Sequence, residues 1–374
     1  MMAATIKVTN VQEASSATTN LALDSSGNVT VGNNLTVTGT STVSGSQTVT
    51  GTLVMGSSFK RNRIINGNML IDQRNAGTII TPSTSGTYSL DRWAVYMTVA
   101  SKFSVQQNAG SVTPPAGFKN YLGVTSTSAY SIAAGDAFRV YQIVEGYNAA
   151  DLSWGSASAA TITMSFWVRS SLTGTFGGAL YNNAGNRAYT FSYTINAANI
   201  WEYKTITISG DTTGIWLTSN DVGIVVQFSI GAGSSNQGTP GSWGSTIYLA
   251  PTGQQNVTGT NGATWYLTGV QLEVGTKATP YEMQIYSDQL AQCQRYFEIL
   301  PSSSAGIYGT PGSGGGVGYA NWQYKVTKRT SPTVTLASSS LITFDYTNEW
   351  GCSGYAASGS YPYIRGGTTA SAEL

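Results

Sequence analysis

Thr161 to Arg169 reads TITMSFWVR, and its alternation decides the architecture. Ile162, Met164, Phe166 and Val168 fall on one side of an extended chain, with Thr and Ser mostly on the other. The same period of two returns at Tyr189, Phe191, Tyr193 and Ile195, and again at Val222, Ile224, Val226, Phe228 and Ile230. Turn-forming runs such as NNAGN (Asn182 to Asn186) and SGDTTG (Ser209 to Gly214) separate such segments. Across residues 57–284 the pattern predicts antiparallel sheets with one buried face, a single large β-sandwich of jelly-roll type. The fold class is all-β.

Residues 1–56 differ in kind, being rich in Thr, Ser, Val, Asn and Gly without any Trp or Tyr. Val31, Val37, Val43, Val49 and Met55 recur every sixth residue, and Gly39, Gly45 and Gly51 keep the same step. A short β run closed by a glycine corner at fixed period builds a β-prism or β-helical stalk. One strip buries a single Val per unit, so three chains wrapped together are the expected solution: a homotrimer. The alternative is a Ser/Thr-rich flexible linker, and the fixed register of the apolar positions favours the stalk.

Beyond the sandwich, Tyr286, Leu290, Cys293, Phe297 and Leu300 are spaced four, three, four, three, as in a heptad seam. Residues 285–300 therefore read as a short helical or coiled-coil connector. A competing reading confines the helix to Ser287–Gln292 and starts a strand near Arg295. Residues 301–374 return to turn-rich β sequence, with a flexible GSGGGVG run (Gly312 to Gly318), and form a smaller distal β domain.

Charged residues are only 9% of the chain and the formal net charge is +1. That excludes a phosphate-driven nucleic-acid binder and an anionic-membrane binder, both of which need clustered Lys and Arg. Histidine is absent, which removes the commonest general acid–base, the Ser-His and Cys-His nucleophile systems and the imidazole metal ligand. Cys293 and Cys352 are too few for a thiolate metal site or a disulfide scaffold and read as free thiols of a chain folded in a reducing cytoplasm. No basic segment leads into an apolar run, and no stretch of about twenty apolar residues occurs, so neither a standard secretion signal nor membrane insertion is expected. Twenty-two Tyr and nine Trp accompany this neutral, hydroxyl-rich composition. Amphipathic rings with few charges suit an uncharged polyhydroxylated partner, although most of them should serve the core.

Several segments resemble a modular family of bacteriophage tail fibres and related virion adhesins. RNRIINGNMLIDQRNAG (Arg61 to Gly77) and SLDRW (Ser89 to Trp93) are similar to the opening of its jelly-roll module. WEYKTITISGDTTGIW (Trp201 to Trp216), NQGTPGSWGS (Asn236 to Ser245) and TGVQLEVGTKATPYE (Thr268 to Glu282) resemble its later strands, in order. CQRYFEIL (Cys293 to Leu300), KRTSPTVTL (Lys328 to Leu336) and the terminal SAEL resemble the module that commonly ends such fibres. The resemblance spans residues 61–374 and weakens at the N-terminus. It implies a trimeric receptor-binding fibre, assembled in the host cytoplasm and carried on the virion tail. Residues 1–56 would contact other tail proteins, directly or through an adaptor. The distal domain would sit at the fibre tip and bind host surface glycan such as lipopolysaccharide without cleaving it.

The candidate contact rings lie in Gly/Ser-rich loops where no strand period demands burial. Distally they are Tyr308, Tyr319, Trp322, Trp350, Tyr355, Tyr361 and Tyr363; in the sandwich they are Trp154 and Trp243. Phe166, Tyr193 and Phe228 are assigned to the core. No catalytic residue is assigned, because the acids have local structural uses. Asp211 caps its own turn, and Glu273 and Glu282 are expected to pair with an arginine such as Arg92 or Arg63. Asp91 would pair likewise, or would hold a structural Ca²⁺; no other cofactor or metal is expected. Two rival functions stay open: a tail-spike polysaccharide depolymerase, which needs two carboxylates about the scissile bond, and a purely structural virion connector fibre.

Overall fold

The computed structural model describes residues 10–11, 21–23, 26, 28–31, 60–301, 306–310, 316–338 and 340–374. The chain divides into two compact units, Met1–Met55 and Gly56–Leu374. In the first, β1 (Asn10–Val11), β2 (Leu21–Leu23) and β3 (Val29–Val31) form a three-stranded antiparallel meander. The hexad repeat beyond Val31, and with it the stalk reading, lies outside the described residues.

The second unit opens with β4 (Thr87–Leu90), β5 (Trp93–Met97), β6 (Phe103–Gln107), β7 (Leu122–Ser126) and β8 (Ala137–Glu145). It continues with β9 (Ile162–Ser170), β10 (Gly174–Tyr181), β11 (Ala188–Ile195), β12 (Glu202–Ile208) and β13 (Val222–Ala232). Three two-residue strands follow, β14 (Gln237–Gly238), β15 (Trp243–Gly244) and β16 (Ala250–Pro251), and then the long β17 (Thr264–Val274). Two antiparallel sheets face each other, one ordered β15-β11-β10-β13-β8-β5-β4 and the other β12-β9-β17-β7-β6. The chain changes sheet between β5 and β6, β7 and β8, β8 and β9, β9 and β10, β11 and β12, and β12 and β13. That repeated crossing makes the sandwich a jelly-roll.

Alternation explains which side chains fill it. Ile162, Met164, Phe166 and Val168 are fully buried, as are Val226, Phe228 and Ile230. Val222 lies beyond a bulge that breaks the register between it and Ile224, and it is only half-buried. Phe166 meets Tyr193 and Phe228 edge-on, each at 5.1 Å between centroids. The Trp265 indole N–H donates to the Tyr193 hydroxyl at 3.0 Å, so the polar atoms of both rings find a partner within the core. Each such ring contributes roughly 1.5–3 kcal/mol by burial.

The opposite face of β9 is buried as well, at Thr163 and Ser165, because the chain after β17 folds back over it. Thr163 donates to the Gly275 carbonyl at 2.8 Å, and the Glu282 amide donates to Gln271 Oε1 at 2.8 Å. Thr279 donates to Glu273 through its amide (2.8 Å) and its hydroxyl (2.7 Å). Here the expected arginine pairing of Glu273 and Glu282 is corrected. Glu282 accepts from the Asn62 amide at 2.9 Å, while Arg63 pairs with Asp151 and Arg92 with Glu373. Neutral donors occupy these carboxylates instead: the Asn62 amide for Glu282, and the Thr279 amide and hydroxyl with the Gln271 side chain for Glu273. Gly67 permits the close layering, since a β-carbon there would lie 2.1 Å from the Val270 carbonyl oxygen.

After the sandwich, α1 (Tyr286–Gln294) ends and β18 (Phe297–Ile299) begins, a helix followed by a strand as in the competing reading, with the helix longer than Ser287–Gln292 at both ends. Cys293 and Phe297 are buried within the same chain, whereas Tyr286 is exposed. The remaining strands are β19 (Ile307–Tyr308), β20 (Gly318–Gln323), β21 (Thr333–Thr335), β22 (Thr343–Thr347), β23 (Gly351–Ala356), β24 (Tyr363–Ile364) and β25 (Thr369–Ser371). They form the sheets β18-β25-β21, β19-β24 and β20-β23-β22. Cys293 and Cys352 are both free and buried, and burial raises both thiols.

These small sheets are tied to the sandwich by buried charge. Glu373 pairs with Arg92, and with Arg74 at 2.6 Å. The guanidinium groups of Arg92 and Arg74 lie 3.6 Å from the ring centres of Tyr296 and Phe297. Glu145, 1% exposed, accepts from Arg295 at 2.9 and 2.6 Å and from the Tyr296 hydroxyl at 2.5 Å. Arg329 donates to the carbonyls of Asn220, Ala372 and Glu373. Asp91 is fully buried and accepts from the Gln73 amide (2.6 Å) and side chain (2.7 Å).

Removing one member of a buried pair strands the other, which costs about 3–5 kcal/mol, while an exposed pair is worth about 0–1 kcal/mol. Glu373→Ala should therefore destabilise the protein by about 3–5 kcal/mol in urea unfolding, against about 1 kcal/mol or less for Asp151→Ala, whose side chain is 59% exposed. Burial lifts the Asp91 carboxyl from 3.8 to about 6, against the Gln73 hydrogen bonds that favour its ionised form. A raised folded pKa gives stability that is full below the unfolded value and lost as pH rises through the folded one. Relative to the wild type, Asp91→Asn should thus gain stability between pH 4 and pH 7, by up to about 3 kcal/mol, in paired unfolding curves.

Candidate functional site

In β20 the sequence GYANWQ alternates buried and exposed without interruption. Ala320 and Trp322 point into the small core; Tyr319, Asn321 and Gln323 point out. Pairing with β23 sets Tyr319 opposite Tyr355, Asn321 opposite Ser353 and Gln323 opposite Gly351. On the other side of β23, Tyr346 stands opposite Ser353, just after a bulge in β22. The outer face of this sheet is thus a lattice of rings, carboxamides and hydroxyls.

The turn between β22 and β23 fixes its most prominent ring. Asn348 Oδ1 accepts from the amides of Trp350 (2.9 Å) and Gly351 (3.0 Å), and its Nδ2 donates to the Tyr346 hydroxyl at 2.7 Å. Such an Asx turn holds the backbone without help from neighbouring strands. Trp350 is left 62% exposed and Tyr346 59% exposed. A hollow of about 320 Å³ lies among Asn321, Gln323, Tyr346, Asn348, Trp350 and Ser353, and none of the described residues that line it is charged. On the neighbouring β19–β24 pair, Tyr308 stacks on Tyr363 at 4.4 Å and 20°. Tyr308 and Tyr361 are also exposed.

The structure thus leaves Tyr308, Tyr319, Trp350 and Tyr361 exposed and Tyr355 and Tyr363 half-buried. It buries Trp322, which is 3% exposed and packs edge-on against Tyr324 at 5.1 Å. Trp154 is buried too, 4.7 Å from Trp216 and 5.2 Å from Trp243, and its N–H donates to the Ala160 carbonyl. Trp243 is half-buried, with its N–H on the Ser209 carbonyl at 2.7 Å. Trp322, Trp154 and Trp243 therefore act as packing anchors. The period of two in Gly318–Gln323 carries the signal for Trp322, and a reading of that segment as loop passes over it.

Tyr346 and Asn348 are not among the residues expected from the sequence, and neither is a second ring cluster on the sandwich. Trp167 is the one aromatic on the outward side of β9, opposite Tyr203 of β12, with ring centres 5.3 Å apart. Phe118 meets Tyr281 at 5.2 Å beside them, and Met283 completes a cleft of about 440 Å³. A tryptophan on the polar side of an alternating strand was the available sign.

Among the described residues the acids gather into no comparable centre. Burial alone would raise Asp211, but hydrogen bonds from Arg187 (2.9 and 2.5 Å) and Trp216 (3.1 Å) outweigh it and hold the carboxyl below its usual range. Asp91 does not fit Ca²⁺, because both its oxygens face N–H donors of Gln73, which would repel a cation. Among the described residues no group of three or more Asp, Glu or Cys side chains could hold a metal.

No family model and no curated protein matches the chain. Among solved structures it is similar to the enzymatically active domain of bacteriophage CBA120 tailspike protein 4, with 12% identity over 57% of this chain and a TM-score of 0.31. It spans 21% of that tailspike chain. It is also similar to a family 11 carbohydrate-binding module from Clostridium thermocellum in complex with a β-1,3-1,4-mixed-linked tetrasaccharide. There the identity is 10%, over 53% of this chain and 97% of the module, with a TM-score of 0.26. TmCBM61 in complex with β-1,4-galactotriose gives 11% identity, 51% and 92% coverage and a TM-score of 0.26. These likenesses are weak, and the jelly-roll assignment stands on the strand pairing and the shared core.

Proposed function

We propose that this chain is a receptor-binding fibre protein of a bacteriophage virion, which holds host surface glycan such as lipopolysaccharide on the outer face of β20, β23 and β22 without cleaving it. The observation that carries this reading is the uncharged hollow beside Trp350. Sugars offer apolar C–H faces and hydroxyl rims. An exposed indole beside a phenol matches the first, and the carboxamides of Asn321 and Gln323 match the second. Hydrolysis would require a pair of carboxylates about the bond, and none lines the hollow. The resemblance of residues 61–374 to tail-fibre modules supplies the viral setting, with assembly in the host cytoplasm and attachment to other tail proteins through residues 1–56.

A ring on a sugar face contributes roughly 1 kcal/mol, by analogy with aromatic pairs, so one site binds weakly. Three copies in a fibre would raise the effective affinity through avidity, and the hexad repeat motivates a trimer. Light scattering on the purified chain should give three times the 39.2 kDa protomer mass; a monomer at micromolar concentration refutes the trimer.

Trp350→Ala should weaken binding of host polysaccharide fragments by about fivefold per site, a loss of roughly 1 kcal/mol, and should reduce whole-virion adsorption by more. Tyr346→Ala should act alike. Trp322→Ala removes a core ring and should lower stability instead, by about 3–5 kcal/mol. Normal adsorption by both surface variants would move the contact elsewhere, and release of reducing ends from the polysaccharide would refute the non-enzymatic reading.

A further inference from the structure

A different pocket, with different chemistry, opens where α1 meets the sandwich. Its volume is about 300 Å³, at the small end of ligand sites. The floor is the buried Glu145, whose charge is already matched by the bidentate Arg295 and the Tyr296 hydroxyl. On one wall Arg63 is held by Asp151 at 2.7 and 2.5 Å and by the Asn148 carbonyl at 2.9 Å. Lys60 stands at the mouth, exposed, and among the described residues it has no carboxylate partner. Among the described residues that line the pocket, three cations thus meet one carboxylate, Glu145, while Asp151 and Glu282 stand just outside it on Arg63 and the Asn62 amide, so the lining itself is cationic.

The rest of the lining suits something larger than a bare anion. The side chains of Asn148, Gln284 and Gln292 make no hydrogen bond to described residues, so their donors and acceptors are available to a ligand. Tyr147 is 63% exposed at the rim and presents a ring. Free carboxamides recognise hydroxyls, an exposed phenol covers an apolar ring face, and Lys60 with the unused Nη1 of Arg295 offers charge-assisted donors to an anionic group. We infer that this pocket binds a carboxylate-bearing monosaccharide, of hexuronate type. The site is independent of the hollow beside Trp350 and differs from it in the charge of its ligand.

Titration calorimetry of the full chain with glucuronate, glucose and inorganic phosphate tests it. Glucuronate should saturate one site per chain at least about tenfold more tightly than glucose, the difference that a single charge-assisted hydrogen bond supplies. Raising the salt concentration should weaken it, because Lys60 is exposed to screening. Lys60→Gln and Tyr147→Ala, both at exposed positions where folding is undisturbed, should each reduce glucuronate affinity by about fivefold or more, and Trp350→Ala should leave it unchanged. The inference is overturned if glucuronate binds no better than glucose, if Lys60→Gln and Tyr147→Ala both bind as the wild type does, or if phosphate binds as tightly as glucuronate. Loss of glucuronate binding in Trp350→Ala would overturn it as well, by assigning that sugar to the hollow.

Discussion

Burial of the Arg92 guanidinium is the constraint on which the rest of the second unit depends. Arg92 sits in the tight turn between β4 and β5 with a left-handed backbone, φ 69°, and only 2% of its surface reaches solvent. A lone guanidinium in that position would be strongly unfavourable, so it must be matched by an anion that the turn itself does not supply. The match comes from Glu373, 281 residues away, and from the Tyr296 ring below it. The sandwich edge and the last residues of the chain therefore reach their final state together. The neighbouring set of Glu145, Arg295, Tyr296 and Arg329 extends the same logic across the junction.

This coupling bears on what the small sheets can do. A three-stranded sheet of five- and six-residue strands has too little core to hold an exposed tryptophan in a fixed pose alone. Here its buried side shares one small core with the neighbouring short sheets, through Trp322, Cys352, Ile364 and Ala370, and the turn at Asn348 is closed by its own side chain. The face around Trp350 is held by that core and by the Asn348 turn, which would spare a weakly bound sugar the entropy of ordering it. The pocket by Lys60 draws on the same junction, since Arg295 and Tyr296 contribute to it as well as to the tie between sheets.

Two kinds of aromatic residue emerge from these surroundings. Trp154, Trp216 and Trp243 meet edge-to-face and give their N–H groups to carbonyls or, for Trp216, to Asp211. They pack against the core of the sandwich. Trp350, Tyr346 and Tyr308 instead expose more than half of their surface. Both kinds lie among Gly, Ser and Asn, so local composition does not tell them apart.

The period of two in β9, β11 and β13 is a property of a pleated strand, and any chain carrying it must bury one face. For that reason the all-β class, the sandwich and its core of Phe166, Tyr193 and Phe228 could be read directly from the sequence. The same period placed Trp322 inward and Trp167 outward, and both were legible in principle. Whether an outward row stays open is another matter. Thr163 and Ser165 disappear beneath the returning segment 276–282, while Tyr319 and Asn321 do not, and nothing in either strand distinguishes the two cases. Nor could spacing along the chain pair Arg92 with Glu373, or draw Lys60, Tyr147 and Arg295 round one pocket. Periodicity acts between residues two apart, whereas partners and exposure are set by what the fold brings from hundreds of residues away; only the tertiary structure decided those.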